Sequence, residues 1–441
     1  MAYVQPPPPT EQLLAALAPE DLMRVLAAPI SDEDYLHWDQ IRHREPPTDL
    51  TREEWWLRLK MTRGGRPLPL VDIENRHATI SAPDKLLEAL HFIDQNCAGE
   101  IAMEEAISPD NQSRHRFLVN SIMEEAIRSS QLEGATTSRR EAKQLLQSGR
   151  AAKDRSEQMI LNNYRAMMHI RTELGDNLTP DDVLELHRVV TEGTLDDPTA
   201  AGRLQTPDEE RVAVYRAPDG QLLHRPPPAE QLPGRLEAMC AFANGETPSG
   251  HFIHPVVRAI LLHYWLGYDH PFEDGNGRTA RALFYWSMRR DRYWLTEFLS
   301  ISRILRQAPA QYSKAYLYSE TDESDTTYFV IYQLQVIRRA VDELHEYLQR
   351  KMKEVRKAET LVRADAGFNH RQVALLGNAL RTGDHLYTAR GHGQTHGVTA
   401  ETARTDLIGL EQRGLLQRRK VGRQHQWIAP VDLADRLGDQ E

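Results

Sequence analysis

The chain has 441 residues, more than the roughly 250 to 300 that one hydrophobic core accommodates, so we expect two or three domains. Its 40% hydrophobic and 27% charged residues exclude wholesale disorder and are typical of a soluble globular protein. The net charge is −10, yet residues 369–427 carry nine Lys or Arg against four Asp or Glu, and this basic end indicates a polyanionic partner of its own.

The beginning of the chain predicts a cytoplasmic, helical region. No apolar run reaches the ~18 residues of a membrane span, and MAYVQPPPPTEQ lacks the features of a secretory signal. After a flexible tail, stretches such as PDKLLEALHFID and SRHRFLVNSIMEEAIRSSQ space apolar residues three and four apart, so residues 1–175 are predicted to be mostly helix. Cys97 and Cys240 have no metal-ligand or redox spacing, and we interpret them as buried thiols.

The middle of the chain predicts a second helical domain, residues 176–345, with one small hairpin. LTPDDVLELHRVV has the capping threonine, early proline and acidic first turn of a helix start. In ERVAVYRAPDGQLLHRPPP, residues 210–228, β-prone runs flank a Pro-Asp-Gly turn, the only convincing hairpin before the C-terminus. Residues 346–366 are predicted as a charged connecting helix or linker, with a boundary near Ala364 to Gly367.

The densest cluster of reactive residue types is HPFEDGNGRTAR, residues 270–281, between two apolar helical segments. The glycines around Asn276 allow backbone N–H groups at a helix start to face an anion. Arg278 and Arg281, three apart on one helix face, add positive charge, so the spacing indicates a polyphosphate ligand. The alternative is a helix-capping loop with solvated arginines.

Two further residues of this cluster suit chemistry on a phosphate. Asp274 offers a hard oxygen ligand, and Mg²⁺ is often held by one or two carboxylates together with phosphate oxygens. His270 has an ordinary pKa near ~6.5 and can accept a proton from an incoming hydroxyl. The pattern therefore favours attack of a hydroxyl on phosphorus.

The same twelve residues resemble, at every signature position, the HPFx(D/E)GNGRxxR motif of the Fic (Fic/Doc) family. The resemblance implies an AMP transferase that uses ATP and Mg²⁺ on a mainly helical Fic fold. His270 would be the base for a target Tyr, Ser or Thr hydroxyl, and Asp274 the Mg²⁺ ligand. Gly275, Asn276 and Gly277 would form the anion hole, with Arg278 on the β-phosphate and Arg281 on the γ-phosphate.

A second motif, SSQLEG at residues 129–134, would by itself be a solvated glutamate beside a helix-ending glycine. Beside the Fic motif, Ser129, Glu133 and Gly134 resemble the family's inhibitory pattern (S/T)xxxE(G/N). The resemblance implies an inhibitory helix over about residues 115–145, whose Glu133 pairs with Arg281 in place of the γ-phosphate. In some relatives this glutamate also assists AMP removal, so de-AMPylation remains open.

Two further sites follow from the resemblance. The hairpin at 210–224 lies where the family has a target-positioning flap, whose edge could pair with a substrate segment; a strand edge without a role is equally compatible. GRLQT, which precedes it, differs from the more usual GRFRT. Tyr312 lies near a position that lines the adenine site in relatives, although an aromatic at helical spacing is more often a core residue.

Residues 367–441 resemble a winged helix-turn-helix domain. In VTAETARTDLIGLEQRG, Thr399 can cap a helix whose Ala403, Leu407 and Leu410 share one face. Two strands around Val421 and Gly422 would form the wing. The candidate nucleic-acid contacts are Thr402, Arg404 and Thr405 on the second helix and Arg418, Arg419, Lys420 and Arg423 in the wing. The region 367–430 could bind DNA, dock a protein or form a homodimer.

The sequence thus predicts a mainly α, ATP-dependent protein adenylyltransferase that is inhibited by its own Glu133. Two alternatives stay open. One is a Fic enzyme that transfers another phosphate-linked group, such as UMP or phosphocholine. The other is a DNA-binding transcription regulator that uses the nucleotide site as a sensor.

Overall fold

The computed structural model describes residues 4–47, 49–98, 111–211, 213–215, 222–247, 250–364, 367–382, 386–421, 424–430 and 432–438. These residues fall into two compact units. The first unit lies within Met1–Gly99 and Asn120–Val341, and the second within Glu100–Val119 and Asp342–Glu441. The region predicted as the N-terminal helical part and the region predicted as the catalytic domain thus pack largely within one unit.

The first unit is built mainly from helices. They are Thr10–Ala16, Pro19–Ala27, Trp38–Ile41, Arg52–Thr62, Asp84–Cys97, the part of Asn111–Leu132 from Asn120 onward, Arg139–Ser148, Arg155–Thr172, Pro180–Thr191, Leu232–Ala243, Pro255–Asp269, Asn276–Arg290, Ile301–Gln307, Pro309–Thr321 and the start of Thr327–Ala364, with short 3-10 turns at Pro198–Ala200, Ala229–Gln231 and Trp294–Phe298. The central pair is Pro255–Asp269 and Asn276–Arg290, whose apolar side chains are almost all buried. We call the second of these the motif helix. Because both helices are covered by their neighbours, the loop between them is held on a rigid support.

Two antiparallel strand pairs accompany the helices of this unit. The predicted hairpin is present as Val214–Tyr215 paired with Leu222–His224; the Pro-Asp-Gly turn lies outside the described residues. A second pair, Arg66–Val71 with His77–Ile80, occurs in the region predicted to be helical, so the prediction of one hairpin before the C-terminus was wrong. Pro67 and Pro69 disfavour a helix there, and Asn75 takes the left-handed conformation (φ 58°) in the connecting turn.

The predicted inhibitory helix of about 115–145 is two helices in the structure. The first, Asn111–Leu132, is named the plug helix below. The chain turns at Gly134, which has φ 95°, and a new helix starts at Arg139 behind a reciprocal cap between Ser138 and Glu141. Glu133 therefore lies just beyond the end of the plug helix, in the turn.

The second unit carries the predicted helices and strands near the C-terminus. Its elements are the rest of Thr327–Ala364, His370–Thr382, Ala389–His396, Ala400–Gln412 and Leu433–Gly438, with a three-stranded sheet of Leu386–Tyr387, Gln424–Ile428 and Gln417–Val421. Ala403, Leu407 and Leu410 are buried on one face of Ala400–Gln412, as predicted. Thr402, Arg404 and Thr405 on that helix and Arg418, Arg419 and Lys420 on the strand are exposed. Gly422 and Arg423 lie outside the described residues.

Cys97 and Cys240 are buried free thiols, and burial raises the pKa of each to about 12. In the described ranges, none of the helices has both the length and the apolar character needed to cross a bilayer.

Candidate active site

The motif loop begins and ends on two left-handed residues. His270 closes the helix Pro255–Asp269 with φ 44° and ψ 53°, and Gly275 precedes the motif helix with φ 86°. A Cβ at Gly275 would lie 2.6 Å from Thr191 Cγ2, so glycine is required there for both space and conformation. Gly275 offers no side chain to cap the motif helix, and the first N–H groups of that helix stay available to an anion.

Asn276 holds the loop in shape from its centre. Its Oδ1 accepts from the Phe272 N–H at 3.0 Å, and its Nδ2 donates to the Phe272 carbonyl at 2.8 Å. The same Nδ2 lies 3.2 Å from His270 Nδ1. One amide therefore ties the position of the candidate base to the position of the candidate anion hole.

Glu133 occupies the anion pocket in this structure. Arg281 is buried, and its Nη2 donates to Glu133 Oε1 at 2.8 Å, while its Nε donates to Ser129 Oγ at 2.9 Å. The carboxylate lies so close over Gly277 that a Cβ there would collide with Glu133 Oε1. The pairing that the resemblance implied is thus present as geometry, with a carboxylate at the start of the motif helix.

Arg278 is the second cation of the pocket and is only partly satisfied. Its Nη1 donates to the Val190 carbonyl at 3.0 Å, and its Nη2 lies 3.4 Å from Asp274 Oδ2. Among the described residues, its buried Nε finds no hydrogen-bond partner, and neither does Nη1 of Arg281. Burial lowers the pKa of Arg278, and the guanidinium still has a donor to offer a ligand.

Asp274 points its carboxylate towards solvent. Its side chain is 42% exposed, and within the described part of the chain Oδ2 makes only long contacts, 3.4 Å to Arg278 and 3.5 Å to Arg155. Within the described residues there is no group of three His, Cys, Asp or Glu side chains that could hold a metal alone. A single available carboxylate beside the candidate anion pocket fits the way Mg²⁺ is often held, by one or two carboxylates with water and phosphate oxygens.

His270 is poised as a neutral base. Burial lowers the pKa of its imidazole to about 4, and the positive charges of His224 and Arg211 act in the same direction. The ring therefore carries no proton charge at neutral pH and can accept one from a hydroxyl.

Tyr312 lies in an aromatic cluster next to the pocket. Its hydroxyl is 2.8 Å from His263 Nε2, and its ring packs against Tyr316 and Phe329. Burial raises the pKa of Tyr312, while the charge of Arg281 opposes this shift. The position is compatible with an adenine-lining role and equally with a core role, so the assignment stays a prediction.

Three supporting residues were not found from the sequence. His187 donates from Nε2 to the Asp274 carbonyl at 2.8 Å, accepts from the Gly202 N–H at 3.0 Å, and stacks on Phe272. Arg211 and His224 bind backbone carbonyls next to His270. The only sequence signal for His187 was a histidine on the buried face of an amphipathic helix.

Part of the chain is similar to known proteins. Residues 177–288 match the model of the Fic/DOC family. The chain is 32% identical to the protein adenylyltransferase fic-1 of Caenorhabditis elegans over 169 residues, which are 37% of this chain and 30% of fic-1. It is 31% identical to the protein adenylyltransferase Fic of Drosophila willistoni over 227 residues, 50% of this chain and 42% of that protein. The chain thus spans less than half the length of these curated relatives.

A solved structure supports the fold. A Fic family protein from Desulfovibrio desulfuricans superposes with a TM-score of 0.53 at 18% identity, and the match covers 79% of this chain and 97% of that one. The motif loop lies within residues 177–288, the part of the chain that matches the Fic/DOC family model.

Proposed function

We propose that the protein is an adenylyltransferase that moves AMP from ATP to a Tyr, Ser or Thr hydroxyl of a target protein. The observation that carries the proposal is the carboxylate of Glu133 held between Gly277 and Arg281 at the start of the motif helix. A pocket that binds one anion through a buried arginine and a helix start has the chemistry to bind a phosphate.

The reaction follows from the residues around that pocket. The neutral imidazole of His270 takes the proton of the target hydroxyl as its oxygen attacks the α-phosphorus of ATP. The bond from that phosphorus to the bridging oxygen breaks, pyrophosphate leaves, and the AMP remains on the hydroxyl. The N–H groups at Gly275 to Gly277, with Arg278 and Arg281, would hold the phosphates and stabilise the developing charge.

Asp274 would hold Mg²⁺ together with the phosphates. When bound, the ion would neutralise part of the charge on the β- and α-phosphates. The carboxylate is positioned for this by the His187 contact to its own carbonyl and by the Gly275 N–H, which donates to Oδ1 at 2.6 Å.

We further propose that Glu133 inhibits this activity by occupying the γ-phosphate position. Its carboxylate and a terminal phosphate would compete for Arg281 and for the space over Gly277. The plug helix is itself anchored, because its buried Glu125 accepts from Ser300 Oγ at 2.8 Å and the Ser302 N–H at 3.2 Å. Displacement of Glu133 would thus require a local movement of the turn at Gly134.

The function is tested by incubating the protein and its Glu133→Gly variant with Mg²⁺ and ATP labelled either at the α- or at the γ-phosphate. AMP transfer predicts protein-bound label from α-labelled ATP only, and none in Glu133→Gly/His270→Ala. A matched control is Glu133→Gly/His251→Ala, which removes an exposed histidine. Absence of label in every variant, with ATP bound, would favour a nucleotide sensor, and label from UTP or CDP-choline would favour another transferred group.

For the second unit we propose a winged helix that binds DNA. The exposed Arg404 and Thr405 on Ala400–Gln412 and the exposed basic strand residues Arg418 to Lys420 support it, since such groups contact bases and phosphates in this fold. Arg404→Ala and Arg418→Ala should weaken binding of a genomic DNA library in gel shifts, with a shallower salt dependence. Binding that is unchanged in both variants would argue for a protein partner.

A further inference from the structure

Four successive backbone carbonyls, those of residues 268–271, form hydrogen bonds with Gln205, Arg211 and His224. His224 Nε2 lies 2.9 Å from the Tyr268 carbonyl. Arg211 donates from Nη2 to the Asp269 carbonyl at 2.6 Å and from Nη1 to the His270 carbonyl at 3.0 Å. The Gln205 N–H donates to the Pro271 carbonyl at 2.9 Å.

These donors frame the hairpin, which we call the flap: Val214–Tyr215 and Leu222–His224. Arg211 lies just before its first strand, and His224 ends its second strand. Arg211 Nε also donates to the Pro227 carbonyl at 2.9 Å, so one guanidinium links both ends of the flap.

The carbonyls need such donors for two reasons. They lie at and just beyond the end of the helix Pro255–Asp269, where carbonyls lack partners in a next turn and positive charge is favoured by the helix dipole. The left-handed conformation of His270 also costs about 1–2 kcal/mol for a residue with a Cβ and persists only where neighbours hold it. Asp269 is fixed from its other side, because its Oδ1 accepts from Arg235 and its Oδ2 from Trp265.

His224 lies between two oxygen acceptors. Its Nδ1 lies 2.7 Å from Glu320 Oε2, while Nε2 faces the Tyr268 carbonyl, so both nitrogens point at oxygen acceptors. Burial would lower the pKa of this imidazole, but the Glu320 carboxylate outweighs that effect and raises it.

We infer that Arg211 and His224, at the two ends of the flap, are positioning residues that fix the backbone conformation of the general base, His270. The segment that would receive a target thus also orients His270. The inference rests on the proposed function. It assigns the flap a part in the chemical step in addition to target contact.

The test compares single-turnover AMP transfer in the Glu133→Gly background. Arg211→Ala should lower the transfer rate about 100-fold, the usual cost of misplacing a reacting group by ~1 Å, with ATP affinity within about twofold. Arg211→Lys keeps one donor and should recover part of the rate, and added guanidinium ion should rescue Arg211→Ala. His224→Gln retains a donor for Tyr268 and should retain more rate than His224→Ala.

The control is Arg203→Gln, which removes an arginine of the same segment that pairs with Glu209 and does not touch the carbonyls of 268–271. It should transfer at the parent rate. If Arg211→Ala lowered ATP affinity and the melting temperature together with the transfer rate, and guanidinium did not rescue it, Arg211 would have a merely structural role. That result would overturn the inference. An Arg211→Ala rate equal to the parent would do the same. A parent that does not label protein would instead refute the proposed function.

Discussion

Replacing Glu133 by glycine tests the arrangement at the anion pocket most directly. The carboxylate makes a 2.8 Å contact to Arg281, whose side chain is 2% exposed, whereas the side chain of Glu133 is 31% exposed. A hydrogen bond between charged groups contributes about 1.5–3 kcal/mol, and this is the free energy a terminal phosphate must offset before it can occupy the site. At about 1.4 kcal/mol per tenfold change, productive ATP occupancy, and hence AMP transfer, should rise about 10- to 100-fold.

The assay is transfer of label from α-labelled ATP, measured at ATP concentrations below saturation. Glu124→Gln is the matched control, because Glu124 is a glutamate of the same plug helix that pairs with Arg128 and Arg139 away from the pocket. It should change transfer less than about twofold. Labelling by Glu133→Gly at or below the wild-type rate, with ATP binding intact, would refute the competition between carboxylate and phosphate.

Three further predictions follow from the neighbours of the pocket. His187→Phe should keep the stack on Phe272 but lose the hydrogen bond to the Asp274 carbonyl. It should raise the Mg²⁺ concentration needed for half-maximal transfer several-fold. An unchanged Mg²⁺ titration would contradict a role of His187 in positioning Asp274. Glu125→Ala leaves the Ser302 N–H without its acceptor, so it should lower the free energy of unfolding by about 2–3 kcal/mol in a denaturant titration. It should also raise labelling by the otherwise wild-type chain. Loss of stability with unchanged labelling would mean that the Glu125 contacts do not hold Glu133 in the pocket. The pKa of His270 is lowered to about 4, so its imidazole stays deprotonated as the pH falls. The kcat/KM of Glu133→Gly should therefore stay flat from pH 8 to about 6 and decline only towards pH 4. A decline centred near pH 6.5 would mean that the pKa of the imidazole is not shifted.

The geometry of the motif could be predicted from the sequence because its residues lie within one short stretch. Asn276 and His270 are six positions apart, and Arg278 and Arg281 share a helix face, so local spacing determines how they meet. Glu133 is 148 positions from Arg281, and no periodicity links the two. That pairing came from the resemblance alone, and the structure places the carboxylate in the turn after the plug helix and not on the helix itself.

Other contacts left no pattern in the sequence. Arg211 reaches the Asp269 and His270 carbonyls from 58 and 59 positions away, and a backbone acceptor has no residue type to recognise. The hairpin Arg66–Val71 with His77–Ile80 was missed because the surrounding helical period masked a short stretch whose prolines and left-handed Asn75 favour a turn. Contacts to backbone groups and the pairing of short strands depend on tertiary packing, which cannot be inferred from the residue types of a single sequence.

On the proposed function, inhibition and stability depend on the same contact in this pocket. Removal of the Glu133 carboxylate would take a charged hydrogen bond from the buried guanidinium of Arg281, at a cost of about 1.5–3 kcal/mol. On the proposed function, this interaction of Glu133 with Arg281 is the one that ATP must replace. Glu133→Gly should therefore melt at a lower temperature than wild type without nucleotide, and ATP with Mg²⁺ should stabilise it more, since a ligand stabilises in proportion to the logarithm of its concentration over Kd. An equal ATP-induced shift in both proteins would mean that the carboxylate and the phosphate do not share a site.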